Sequence, residues 1–190
     1  MKTLFISTYD ELVTIALLDN GKELSKKEKL SNRSHSMILV PTIEEILKEN
    51  NIDTKDLNEV IVVSGPGSFT GVRLGITVAK TLAYTLSIPI KTITSIEALA
   101  CSIEEKDKLI TIDDPKGKYI GKFVDNHLEE LVYLNEEAAN SYIQAAKLNV
   151  YNKAVLNIEN IYNYLINVDP TPAHAVKALY IKGIEALNGK

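Results

Sequence analysis

VVSGPGSFTGVRLG, residues 62–75, sets a glycine-rich turn between a short apolar run, NEVIVVSG (58–65), and a helical pattern that continues to about Ser87. Strand, glycine turn and helix in that order make an α/β unit. Backbone amides at such a turn point outward at a helix N-terminus, a geometry able to hold an anion. The residues concerned are Gly65, Pro66, Gly67, Ser68, Phe69, Thr70 and Gly71. Two phosphate motifs fail here. A Walker loop ends in Gly-Lys-Ser/Thr, and Gly71 is followed by Val72 and Arg73. A dinucleotide fingerprint needs G-x-G-x-x-G, whereas Gly65, Gly67 and Gly71 are spaced G-x-G-x-x-x-G, with no acid between Leu86 and Lys91 to take a ribose. The same residues also suit a tight turn that lets the helix lie close on a sheet, and the sequence leaves both meanings open.

The helix that follows is apolar over an unusually wide arc. At 100° per residue Gly71, Gly75, Val78, Ala79, Leu82 and Leu86 share one face, with Val72, Ile76 and Ala83 on one side of it and Leu74 on the other. That arc is roughly 200°, against about 100° for a helix that covers one core. Two packing partners are therefore expected, a sheet and something else. Upstream, residues 34–51 form a second helical pattern, with Leu39, Val40, Ile43, Ile46 and Leu47 on one face and Met37, Ile38 and Pro41 as a further apolar flank. Pro41 should cost that helix a backbone bond and bend it. Arg33 and Arg73 are the two arginines among 21 basic residues, and each stands at the start of one of these helices. In so lysine-rich a chain they read as planar, bidentate anchors. The expected partner surface is Arg33, Met37, Ile38, Pro41, Val72, Arg73, Ile76 and Lys80.

Further outward, KTLFIST and LVTIALLD read as strands, and Asn20-Gly21 as a hairpin turn into KELSKKEKL, a solvated edge strand. Strands follow at 89–93, 108–113, 117–124, 130–134 and 153–157. Helices are expected at 135–147, 159–167 and 173–187, with a short one through Ala100 capped by Thr94 and Glu97. The hairpin demands a mixed sheet. No internal repeat is visible, and the charged CSIEEKD at 101–107 marks the expected boundary between lobes 1–100 and 101–190.

Composition narrows the function. With 190 residues, 45% hydrophobic and 24% charged, the chain can bury a core without staples. A net charge of −4 disfavours a free-standing nucleic-acid grip. Cys101 is alone, and no apolar run suggests a signal peptide or membrane span, so a cytoplasmic location is expected. His35, His127 and His174 are scattered, as surface or capping residues usually are, without metal-ligand spacing. Ser68 lies in no nucleophile elbow, and Asp113-Asp114-Pro115 reads first as a turn. No convincing acid/base pair emerges, and neither a metal nor a cofactor is expected.

The residues resemble the TsaB (YeaZ) family of bacterial tRNA threonylcarbamoyladenosine biosynthesis proteins. The carriers are LFISTYDELVTIAL (4–17), NRSHSMILVPTIEEIL (32–47), SGPGSFTGVRLGITVAKTLA (64–83) and SIEALA (95–100), with weaker matches at IDDPKGKYIG (112–121) and ALYIK (178–182). The resemblance implies an actin-like ATPase fold, related to ribonuclease H and sugar kinases, with a reduced second lobe. It also implies a catalytically silent paralogue of TsaD, the enzyme that moves a threonylcarbamoyl group onto N6 of adenosine in tRNAs reading ANN codons. TsaD has a similar Gly-Pro-Gly turn but also two metal-binding histidines four apart on the next helix, and those positions fall here on Ser95 and Leu99, in the short helix through Ala100. The family's first hairpin usually has an Asp where this chain has Ser7, and an I-D-A-R-R-G-like turn where it has Asp113-Asp114-Pro115-Lys116-Gly117. Implied partners are a TsaD-like transferase and a TsaE-like ATPase, with a homodimer when alone and tRNA touched only indirectly. The rival reading is a small ATP-binding or phosphate-binding enzyme of the same fold.

Overall fold

A computed structural model describes residues 1–32 and 34–179. Its first sheet has the order β3-β2-β1-β4-β5, built from Lys2–Ser7 (β1), Leu12–Asp19 (β2), Lys22–Leu30 (β3), Leu57–Val63 (β4) and Ile90–Ile93 (β5). β1, β2 and β3 run antiparallel, whereas β4 pairs parallel with β1 and β5 parallel with β4. The mixed sheet follows from the hairpin, as expected. Asn20 and Gly21 both take positive φ, 48° and 80°, the geometry of a two-residue turn whose twist matches the strands.

Two helices pack on this sheet. His35–Glu49 (α1) lies on β2 and β3, and Phe69–Leu86 (α2) lies on β4, β1 and β5. α1 buries His35, Leu39, Thr42, Ile43, Ile46 and Leu47. Val40, read from the sequence as part of this face, is instead 45% exposed, and Thr42 takes the place inside.

The second sheet has the order β8-β7-β6-β9, from Lys108–Asp114 (β6), Gly117–Val124 (β7), His127–Leu134 (β8) and Asn149–Tyr151 (β9). β6, β7 and β8 are antiparallel, and β9 returns parallel to β6 after helix Glu136–Ala146 (α4). Both sheets thus repeat one plan: three antiparallel strands, a helix, then a strand parallel to the first. The repeat exists in topology and left no trace in sequence, because each copy keeps only its apolar alternation. Ser95–Ala100 (α3) rests on β6 and β7, and its Thr94–Glu97 capping box forms as the sequence indicated. Ile158–Leu165 (α5) returns to the first sheet at β3. One hydrophobic cluster runs through both sheets, from Leu4, Phe5 and Ile6 to Ile110, Phe123 and Ile161.

Two expected elements fall elsewhere. The last strand is 149–151 rather than 153–157, because pairing with Lys108–Ile110 fixes it directly after α4. Val155 is exposed and Leu156 is a single core plug. The helix expected at 173–187 is one 3-10 turn, Ala173–Ala175, followed by non-helical chain to Leu179; the remainder of that span lies outside the described residues. Among the described residues no helix is long and apolar enough to cross a membrane.

Candidate functional site

The glycine turn is shaped by the loop it presses on. Ser68 N–H donates to the Tyr9 carbonyl at 2.6 Å, and the Thr8 hydroxyl donates to the Gly71 carbonyl at 2.7 Å. A Cβ at Gly67 would stand 2.1 Å from the Tyr9 carbonyl oxygen, one at Gly71 2.2 Å from that of Thr8, and one at Gly75 2.3 Å from Thr8 Oγ1. Such distances cannot be accommodated, so these glycines are fixed by close approach of α2 to the β1–β2 loop. The Gly65–Pro66 bond is cis, and the Pro66 carbonyl accepts from the Ser95 hydroxyl, tying the turn to α3.

The amides of the turn are partly committed within the chain. Besides Ser68 N–H, Gly71 N–H donates to Ser68 Oγ at 3.2 Å and Val72 N–H to the Ser68 carbonyl at 2.9 Å. Beside the turn lies a cavity of about 610 Å³, lined by carboxylates from Asp10, Glu11 and Asp113 together with His35, Ser68 and Lys153. Burial raises the Asp10 pKa above the ordinary carboxylate value, although Leu12 N–H donates to its Oδ1 at 3.0 Å. Three acids facing one exposed lysine make poor company for a phosphate. Asp113 is further engaged by Lys118 at 2.6 Å, and Asp114 accepts from Lys116 N–H and Tyr133 OH, so this acidic pair serves the β6–β7 turn. Among the described residues no group of three or more His, Cys, Asp or Glu side chains is placed to hold a metal ion.

The helices α1 and α2 lie side by side, and the expected partner residues divide between two places. Met37 is 74% exposed and Pro41 is exposed, whereas Ile38 is half-buried against the core. Arg73 is exposed with its guanidinium 3.6 Å above the Phe69 ring, and Phe69 is itself 60% exposed. Thr70 is exposed as well.

Val72 and Ile76 are a correction. They are 4% and 6% exposed and belong to the chain's own core, because the sheet takes the side of the wide apolar arc on which both fall. Lys80 is likewise engaged within the chain: its ammonium donates to the carbonyls of Val176 at 3.1 Å and His174 at 3.4 Å. The second packing partner of α2 is thus partly its own C-terminal segment. Arg33 lies outside the described residues.

Two features escaped the sequence reading. Leu74, Val78, Leu82 and Leu86 recur at every fourth residue of α2 and are all half-buried, forming one partly open apolar row. His35, read as a lone surface or capping residue, is buried at the start of α1, and its Nε2 donates to the Asp10 carbonyl at 2.8 Å. The four-residue recurrence was there to be read; nothing local in the sequence signals the fate of His35.

Comparison with known proteins places this geometry. Residues 27–162 match the family model for TsaD, tRNA N6-adenosine threonylcarbamoyltransferase. The tRNA threonylcarbamoyladenosine biosynthesis protein TsaB of Bacillus subtilis is 35% identical over 137 residues, covering 70% of this chain and 60% of that protein. TsaB of Escherichia coli is 32% identical over 100 residues, 53% of this chain and 43% of its own length. The chain thus spans 60% or less of the length of these two curated relatives. The structure of YeaZ from Pseudomonas aeruginosa superposes with a TM-score of 0.77 at 18% identity, over 94% of this chain and all of the other, so the two share one mixed α/β fold. The chain belongs to the threonylcarbamoyltransferase family of TsaD, and within it stands with the TsaB (YeaZ) proteins.

Proposed function

We propose that this chain is a non-catalytic partner of a TsaD-type transferase in the formation of N6-threonylcarbamoyladenosine in tRNA. The observation that carries the reading is the open apolar face of α1 and α2. Met37, Val40 and Pro41 are exposed on α1, and Leu74, Val78 and Leu82 are half-buried on α2, which packs against α1. A stable protein–protein interface buries roughly 1,600 Å² in total, and two adjacent helices of this length can supply one side of it. Exposed apolar side chains gathered on one face mark such a surface.

A silent role is supported by what occupies the sites of chemistry. Ser95 and Leu99, at the positions of the transferase's paired histidines, are both buried in α3. Ser7, where the family usually has an acid, is buried at the end of β1. The carboxylate-lined cavity beside the glycine turn weighs against a phosphate ligand, and so against the ATP-binding reading. In this proposal residues 1–100 form the lobe that meets the transferase, and 101–190 the shortened second lobe. A TsaE-type ATPase joins the same assembly, the chain pairs with itself through the same face when alone, tRNA contact is indirect, and the setting is the cytoplasm. Mixing the purified chain with the TsaD-type transferase of its own organism and sedimenting the mixture tests the reading. A defined complex is expected; two independent species would overturn it.

A further inference from the structure

The cavity beside the glycine turn has two carboxylates in its wall that are left without an ion pair among the described residues. They belong to Asp10 and Glu11, both exposed on the β1–β2 loop. Asp113, the third acid of the wall, is already held by Lys118 at 2.6 Å. Lys153 is the one lysine of the lining, and it stands outside ion-pair distance of all three acids. Two unneutralised negative charges therefore face one positive charge across a hollow of about 610 Å³. Leu74 and Ile112 give the same hollow an apolar side.

Ser31 supplies a second, independent sign. It lines the same cavity and is 2% exposed. Its N–H donates to the Glu11 carbonyl at 2.7 Å and its carbonyl accepts from Ser34 N–H at 2.7 Å, so both backbone groups are bonded. Its hydroxyl has no hydrogen-bond partner among the described residues. Buried polar groups are rarely left so. The hydroxyl is the polar group that Ser31 still has to offer the cavity.

Small-molecule sites combine a hollow of this size with an apolar wall and a few placed polar groups. Here those groups are acceptors of net negative charge, which suits an ammonium group, with three donors and no acceptor. We propose that this cavity binds an aliphatic ammonium ion, held by Asp10 and Glu11, with the Ser31 hydroxyl as a further acceptor and the methylene chain against Leu74 and Ile112. Leu74 also belongs to the half-buried row of α2, and Ser36, in the lining, precedes Met37 on α1, so the cavity adjoins the face assigned to the partner. The ammonium thus comes either free, as a diamine, or on a lysine of that partner; only the second source rests on the transferase reading.

Calorimetry of the full chain with 1,4-diaminobutane tests the free source. Binding at one equivalent is expected, weakened about tenfold or more by the double variant Asp10→Asn with Glu11→Gln, and severalfold by Ser31→Ala. Ser31→Ala should leave the urea midpoint no lower, because the hydroxyl makes no bond in the unliganded chain. Lys153→Met, which removes the opposing charge, should tighten the diamine. For the second source, the double variant should weaken the complex with the TsaD-type transferase about tenfold or more, and excess diamine should compete with it. Binding of the diamine, or a complex that depends on both acids, supports the site and identifies its source. No diamine binding, with no complex that depends on the two acids, would overturn it. So would binding of inorganic phosphate that Lys153→Met abolishes and the acid variants leave unchanged. The calorimetry uses this chain alone, so the free source is judged even where the transferase reading fails.

Discussion

Thr8 and Gly71 meet twice: the threonine hydroxyl donates to the Gly71 carbonyl, and the Thr8 carbonyl lies where a Gly71 side chain would have to stand. The pair holds α2 against the β1–β2 loop, and with it the face that α2 shares with α1. Gly71→Ala should therefore destabilise the fold by about 1–3 kcal/mol as α2 is forced off the loop. Urea denaturation measures this, and an unchanged midpoint would mean that the approach is not required.

Met37 and Ile76 separate the partner surface from the core. Met37→Asp changes a side chain that is 74% exposed, so stability should stay within about 0.5 kcal/mol while the complex with the transferase weakens about tenfold or more. Ile76→Asp puts a carboxylate among core residues and should cost more than about 3 kcal/mol. Equilibrium unfolding and binding measured on both variants distinguish the two roles.

Glu45 reports the junction between α1 and β3. Its carboxylate is bonded by Lys29 and by Lys27, which lies 2.9 Å away, and these bonds bring its pKa from 4.5 down to about 2. A carboxyl group whose folded pKa is depressed contributes stability that is complete above its unfolded value. That contribution is lost as pH falls from about 4.5 toward 2. Glu45→Gln should flatten this part of the stability profile, as followed by denaturation at a series of acid pH values, and leave the shape above pH 6, roughly, unchanged.

Lys108 is fully buried at the start of β6, and its ammonium donates to the carbonyls of Ile103 and Glu105 and to Asn126 Oδ1. Burial lowers its pKa below the ordinary lysine value. It fastens the connection between the two sheets to the β7–β8 turn. Lys108→Met keeps the stem but leaves three acceptors without their donor, and should cost about 2–4 kcal/mol by chemical denaturation. Lys106→Met, at an exposed pair with Asp125, should change stability by less than about 1 kcal/mol.

Much of the fold was legible because its signals are local. The Asn20-Gly21 turn, the Thr94–Glu97 box and the glycine spacing each state a backbone requirement in a few residues. The duplicated topology was hidden, since strand pairing such as Lys108–Ile110 with Asn149–Tyr151 depends on chain return and not on any motif. The candidate site was half legible. Periodicity showed that α2 has more apolar surface than a sheet can cover, but it could not say which part the sheet takes, and so placed Val72 and Ile76 outside. Nor could it show that the segment after Thr171 folds back on Lys80, because a contact between residues 80 and 176 has no local signature.

The most direct test of the account is threonylcarbamoylation of tRNA by the TsaD-type transferase and TsaE-type ATPase, measured with and without this chain. The account predicts sustained modification only when the chain is present, with loss of that effect for Met37→Asp. Equal modification in its absence, or transfer catalysed by the chain alone, would contradict it.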